Sequence, residues 1–130
     1  MRPDQQHRQR APHAVRCFVL TVSDTRTEAT DTGGRAICDL LTAAGHVVAG
    51  RAIVRDDAAD VRSIVEQQIA SLEVDAVITT GGTGITSRDT TYEAVTSLID
   101  KQLDGFGELF RMLSYEQVGA AAMMSRATAG

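Results

Sequence analysis

Three short apolar runs, residues 15–22 (VRCFVLTV), 47–54 (VVAGRAIV) and 74–80 (VDAVITT), alternate with segments whose apolar residues recur at helical spacing. This alternation is the strongest constraint on the fold. Strands that run parallel need a crossover connection, and a helix supplies it, so strand–helix–strand repeats lead to a mainly parallel sheet. The first run is β-branched and almost continuously apolar, as expected of a strand covered on both faces. Between the first two runs, Ile37, Leu40, Leu41 and Ala44 fall at i, i+3, i+4 and i+7, and Gly45 is a natural stop, which predicts a helix over 32–44. Val61, Ile64, Val65, Ile69 and Leu72 repeat the spacing, with Asp57 placed to cap the helix start. After the third run, Val95, Leu98 and Ile99 mark another helix, with Thr90 and Glu93 spaced as a capping box. A last helix carries Phe106, Leu109, Phe110 and Leu113 on one face. The expected architecture is a three-layer α/β domain, a mainly parallel sheet with helices on both faces.

A chain of 130 residues, 43% of them hydrophobic, has the size of one domain, able to bury roughly two thirds of its unfolded surface. Residues 1–14 contain Pro3, Pro12 and scattered Gln, His and Arg, which offer little to a core, so they are expected to form a flexible leader before a domain over 15–130. No apolar run approaches the roughly 20 residues a bilayer requires, and residues 1–13 lack the apolar middle of a secretory signal. A cytoplasmic protein without membrane contact is expected. Cys17 and Cys38 lie in apolar segments without CxxC spacing or a histidine pattern, and so read as buried free thiols rather than zinc ligands. The formal charge of -4 argues against a nucleic-acid partner, which normally needs a basic face. A phosphate ligand must then be held locally, by backbone N–H groups or a metal ion.

Ligands of parallel sheets bind at the carboxyl ends of the strands. Ser23-Asp24, Arg55-Asp56-Asp57 and a glycine-rich loop leave those ends here. In Thr80-Gly81-Gly82-Thr83-Gly84 the missing Cβ atoms allow a sharp turn and let a phosphate approach the N–H groups closely, while Thr79, Thr80 and Thr83 add hydroxyls. The loop is neither a Walker A motif nor GxGxxG. A tight turn needing positive φ is the plainer alternative, but the run of small and hydroxyl residues favours a phosphate site.

Asp89 follows five residues after Gly84, where the helix dipole alone could account for a carboxylate. Asp56 and Asp57 compete to cap the helix after the second run. Two aspartates at adjacent strand ends, Asp56 and Asp89, suit Mg²⁺, which takes one or two carboxylates together with substrate phosphates. No protein nucleophile is needed when the attacking group is itself a phosphate. Ser23 reads as a ligand-contacting hydroxyl, and His46 has no partner motif. Spacing does not decide whether Arg111, within Gly105-Phe106-Gly107-Glu108-Leu109-Phe110-Arg111, or Ser125-Arg126 serve an anion or the surface.

Five ordered motifs together resemble the molybdenum cofactor biosynthesis proteins of the MogA/MoaB type. They are Leu20-Thr21-Val22-Ser23-Asp24, Asp31-Thr32-Gly33-Gly34, Thr79 to Gly84 with Asp89, Gly105 to Ser114, and Ser125-Arg126-Ala127. The resemblance runs from about Arg16 to Gly130 and implies a molybdopterin-binding fold, a homotrimer, and adenylylation of molybdopterin by Mg-ATP in molybdenum cofactor biosynthesis. It also implies contact with other cofactor-assembly proteins. A noncatalytic molybdopterin-binding or carrier protein of the MoaB-like branch is the alternative. By this resemblance Asp56 and Asp89 are the catalytic and metal-holding aspartates. Thr80, Gly81, Gly82, Thr83, Gly84 and Ser87 hold pterin or nucleotide phosphates, Ser23 and Asp24 border the pocket, and Glu108, Arg111, Ser125 and Arg126 line it more loosely. Family members continue with a further strand, a Pro-Gly-Ser-like loop and a closing helix, so a C-terminally shortened domain is expected.

Overall fold

The computed structural model describes residues 14–82, 91–119 and 126–130. Its elements are β1 (Arg16–Val22), α1 (Thr32–Ala43), β2 (Val47–Val54), α2 (Ala58–Ala70), β3 (Ala76–Thr80), α3 (Thr91–Thr96) and α4 (Asp104–Val118). The three strands form a parallel sheet in the order β2-β1-β3, in which Leu20 of β1 stands beside Ala52 of β2 and Thr79 of β3. The central strand is therefore the first in sequence.

Alternation along β1 separates the two faces. Leu20 and Val22 share one face with Val61 and Val65 of α2 and Ala94 of α3, and together these residues form the core cluster. Thr21 points the other way, where its hydroxyl donates to Asp31 Oδ2 at 2.7 Å at the start of α1. Helices thus cover both faces, as consecutive right-handed crossovers to opposite sides of β1 require. Val19, Leu20 and Val61 are fully buried.

The start of α1 is built around one carboxylate. Asp31 caps it by accepting the Gly34 N–H at 3.0 Å, and the same side chain receives Thr21 and the Arg51 guanidinium of β2. Burial on its own pushes the Asp31 carboxyl up, but the hydrogen bonds from Arg51, Thr21 and the Gly34 N–H prevail and hold it below the ordinary carboxylate range. At its other end the helix runs out at Ala43, and Gly45 takes φ +88°.

Several details differ from the sequence pattern. The second helix stops at Ala70, and Leu72, expected on its apolar face, is 92% exposed. The third strand starts at Ala76 instead of Val74 because Asp75 is engaged in a clamp, accepting the Arg16 backbone N–H, Nε and Nη2 at 2.9, 3.1 and 2.9 Å. Helix α3 is one and a half turns long, so Leu98 and Ile99 lie beyond it, although Leu98 still packs on the core. Cys17 is a buried free thiol as expected, whereas Cys38 is free but only half-buried. His46 has a role no motif announced, since its Nδ1 accepts the Val15 N–H at 3.0 Å. On α4 the expected stripe is present, yet Phe106, Leu109, Phe110 and Leu113 are all exposed in the single chain.

Candidate phosphate-handling site

Loops from all three strands meet at the carboxyl end of the sheet. The Ser23 N–H donates to the Val54 carbonyl at 2.8 Å, continuing the pairing of β1 and β2 past their last residues. Ser23 Oγ accepts the N–H groups of Thr25 and Arg26 at 3.2 and 3.0 Å, turning the loop back on itself. That gives the Ser23 hydroxyl a backbone role that the sequence did not indicate. Asp24 Oδ1 accepts the Asp56 N–H at 3.1 Å, tying the loop after β1 to the loop after β2.

The two adjoining carboxylates after β2 have separate tasks. Asp57 Oδ1 accepts the Asp60 N–H at 3.1 Å and caps α2. Asp56 Oδ1 instead lies 3.2 Å from the point where a Cβ on Gly82 would stand. The sequence reading placed Asp56 and the glycine loop at adjacent strand ends. In the structure β1 lies between β2 and β3, and Asp56 approaches Gly82 across the carboxyl end of β1. Because the chain passes to β2 on one side of β1 and β3 on the other, this is the switch point of the sheet, where crevices in open parallel sheets hold ligands.

Glycine is required at both described positions of the loop. Gly81 has φ +91° and Gly82 φ +61°, and side chains rarely adopt either value. A Cβ on Gly81 would stand 2.2 Å from the Val22 carbonyl oxygen, and one on Gly82 would stand 2.3 Å from Thr91 Oγ1. The backbone is thereby pressed against the end of β1 on one side and the start of α3 on the other. Thr91 completes the contact, its N–H donating to the Gly82 carbonyl at 3.0 Å. Thr91 is 1% exposed, and its hydroxyl makes no hydrogen bond among the described residues. The sequence reading did not single out Thr91; its only trace there is the second threonine directly after Asp89 and Thr90.

Thr80, Gly81, Thr91 and Arg126 line a groove of about 1040 Å³ that runs along β3 and over Phe106 and Phe110. Glu108 and Arg111 are not among the groove's lining residues. Arg126 pairs with both carboxylate oxygens of Glu93, and its guanidinium stands 5.2 Å from the centre of the Tyr92 ring. Glu93 is thus an ion-pair partner of a residue far along the chain, while Thr90, its expected capping-box partner, lies outside the described residues. Thr83, Gly84, Ser87, Asp89, Thr90 and Ser125 lie outside the described residues. Among the described residues no three His, Cys, Asp or Glu side chains come together as a metal cluster.

Residues 18–130 match the family model described as "Probable molybdopterin binding domain". The chain belongs to this family. The molybdenum cofactor biosynthesis protein B of Bacillus cereus is 51% identical over 126 residues, covering 96% of this chain and 75% of the relative. That of Escherichia coli K12 is 45% identical over 116 residues, covering 89% and 68%. Among solved structures, a molybdenum cofactor biosynthesis protein B superposes with a TM-score of 0.86 at 51% identity, over 92% of this chain and 74% of the other. The tungsten cofactor synthesizing protein MoaB of Pyrococcus furiosus gives 0.80 at 44%, with the same coverage. The fold is therefore that of the MoaB and MogA proteins. No described helix is long and apolar enough to cross a membrane.

Proposed function

We propose that this protein acts in molybdenum cofactor biosynthesis by adenylylating molybdopterin with Mg-ATP. The observation that carries the reading is the approach of Asp56 Oδ1 to the Gly81-Gly82 turn at the switch point of the sheet. In the reaction a terminal phosphate oxygen of molybdopterin attacks the α-phosphorus of ATP. The bond from that phosphorus to the bridging oxygen breaks, and pyrophosphate leaves. The glycine turn contributes backbone that a phosphate can approach without meeting a side chain. Residues Thr80, Thr83, Gly84 and Ser87 extend this role to the rest of the loop, Arg126 extends it along the groove that it lines, and Ser125 is assigned with it.

The residues present fit a magnesium ion. Mg²⁺ keeps several waters and takes one or two carboxylates plus substrate phosphates, so it does not need a cluster of three protein ligands. Asp56, at the loop, and Asp89 are the carboxylates assigned to it. Held by these carboxylates, a magnesium ion would supply charge neutralisation on the triphosphate and its pyrophosphate leaving group. Glu108 and Arg111, which do not line the groove, are assigned only a peripheral part. The proposed assembly is a homotrimer, supported by the apolar side chains that α4 leaves exposed. A cytoplasmic location and contact with other cofactor-assembly proteins accompany the pathway assignment.

Incubation with molybdopterin and Mg-ATP tests the proposal: adenylylated pterin and pyrophosphate are the expected products. Tight pterin binding with neither product nor ATP binding would replace it with the carrier reading, in which the same loop holds the ligand without reaction.

A further inference from the structure

Asp24, assigned to the border of the ligand pocket, also makes a contact with the protein's own backbone. Its Oδ1 accepts the Asp56 N–H at 3.1 Å, a hydrogen bond between residues 32 apart in the chain. Asp56 sits in a short connection whose other groups are also committed. The Asp57 N–H donates to the Arg55 carbonyl at 2.8 Å, and the Asp57 side chain caps α2. On the other side, Ser23 joins Val54 through its N–H and folds its own loop through its hydroxyl. The Asp56 backbone is therefore held from β1 by Asp24 and from α2 through Asp57. With the backbone so held, Asp56 Oδ1 stands 3.2 Å from the position of a Cβ on Gly82.

We infer that Asp24 is a positioning residue for Asp56, acting through the Asp56 amide. This rests on the reading of Asp56 as the carboxylate that serves the phosphates. A carboxylate accepting a backbone N–H makes a charge-assisted bond, stronger than a neutral one. Small displacements of a catalytic group are costly to rate because the reaction depends on alignment. The property of Asp24 that this contact uses is an oxygen acceptor at that point, and asparagine should preserve it.

The test compares wild type, Asp24→Ala, Asp24→Asn and Asp24→Ser in turnover, pterin affinity and exchange of the Asp56 amide proton followed by NMR. In Asp24→Ala the Asp56 amide should exchange about tenfold faster, reflecting the loss of one charge-assisted hydrogen bond. Turnover should fall on the order of ten- to a hundredfold while pterin affinity changes little. Asp24→Asn should restore slow exchange and turnover to within about threefold of wild type, because its amide oxygen still accepts. Asp24→Ser, too short to reach, should behave like Asp24→Ala and guards against a peculiarity of one variant. Unchanged Asp56 exchange in both Asp24→Ala and Asp24→Ser overturns the inference, and so does a loss of pterin affinity that Asp24→Asn shares. If wild type shows no turnover, adenylylation falls as the function, while the Asp56 exchange rates still decide the clamp.

Discussion

Arg51 Nη2 stands 2.9 Å from Asp31 Oδ2 and 3.1 Å from the Asp31 carbonyl oxygen, joining the middle of β2 to the first turn of α1. Asp31 is 2% exposed, and a buried carboxylate is tolerated only where donors surround it. Thr21, Gly34 and Arg51 supply them from three separate elements. Removing the carboxylate with Asp31→Ala should cost about 2–4 kcal/mol in urea unfolding, combining a lost cap with an arginine left half-buried and unpaired. A double-mutant cycle with Arg51→Ala should show that the two losses are not additive.

Acid should destabilise the fold through two carboxyls. The hydrogen bonds from the Arg16 side chain and then its backbone N–H bring Asp75 down to about 2. Asp31 is also lowered, by the hydrogen bonds that outweigh its burial. Both groups bind protons less readily in the folded chain than in the unfolded one. The stability they contribute is fully present above the unfolded carboxylate value of about 4 and is lost as pH falls through the folded values. Unfolding midpoints measured between neutral pH and pH 2 should fall in this window, and Asp75→Asn should flatten the dependence.

Alanine at the two glycines should have different consequences. At Gly81 the new methyl meets the backbone oxygen of Val22, which cannot move without disturbing β1, so a stability loss of about 3 kcal/mol or more is expected. At Gly82 the nearest atoms belong to the side chains of Thr91, Val22 and Asp56. Gly82→Ala should lose less stability than Gly81→Ala, about 1–2 kcal/mol for the positive φ and the shift of the buried Thr91 side chain, and lower adenylylation by roughly a hundredfold as Thr91 and Asp56 are displaced. Equal losses of stability in the two variants would remove this distinction.

Asp56 and Asp57 should separate in the same manner. Asp56→Asn should lose turnover with little change in unfolding midpoint, since its carboxylate is assigned to the ligand. Asp57→Ala should lose about 1 kcal/mol of stability as the cap of α2 disappears, and its turnover should fall far less than that of Asp56→Asn. Thermal unfolding and pyrophosphate release measured on both variants check the assignment.

Helix α4 leaves Leu109 and Leu113 more than half exposed, at 53% and 55%. In the proposed homotrimer such residues are buried between copies. Sedimentation should give a trimer for the wild type and smaller species for the Leu109→Asp, Leu113→Asp double variant. A monomeric wild type would separate this helix from assembly.

Much of the fold was legible in residue order because local patterns dictate it. β-branched runs made the three strands, apolar spacing at the 3.6-residue helical period made α1 and α2, and Asp57 and Gly45 marked ends as their chemistry requires. The exposed stripe on α4 was equally visible, but periodicity records only that residues share a face, not what covers it. Leu72 was misplaced for the same reason: it keeps the helical spacing after the helix has ended.

At the site, sequence supplied the glycine turn and the acidic loops, since a turn with positive φ and a phosphate-sized approach can be read from residue type alone. It did not supply their arrangement. That β1 lies between β2 and β3, that Thr91 is buried behind Gly82, and that Asp24 holds the Asp56 amide all depend on contacts between separate segments of the chain. Such contacts follow from strand order and loop approach in three dimensions, and no local preference of any one residue encodes them.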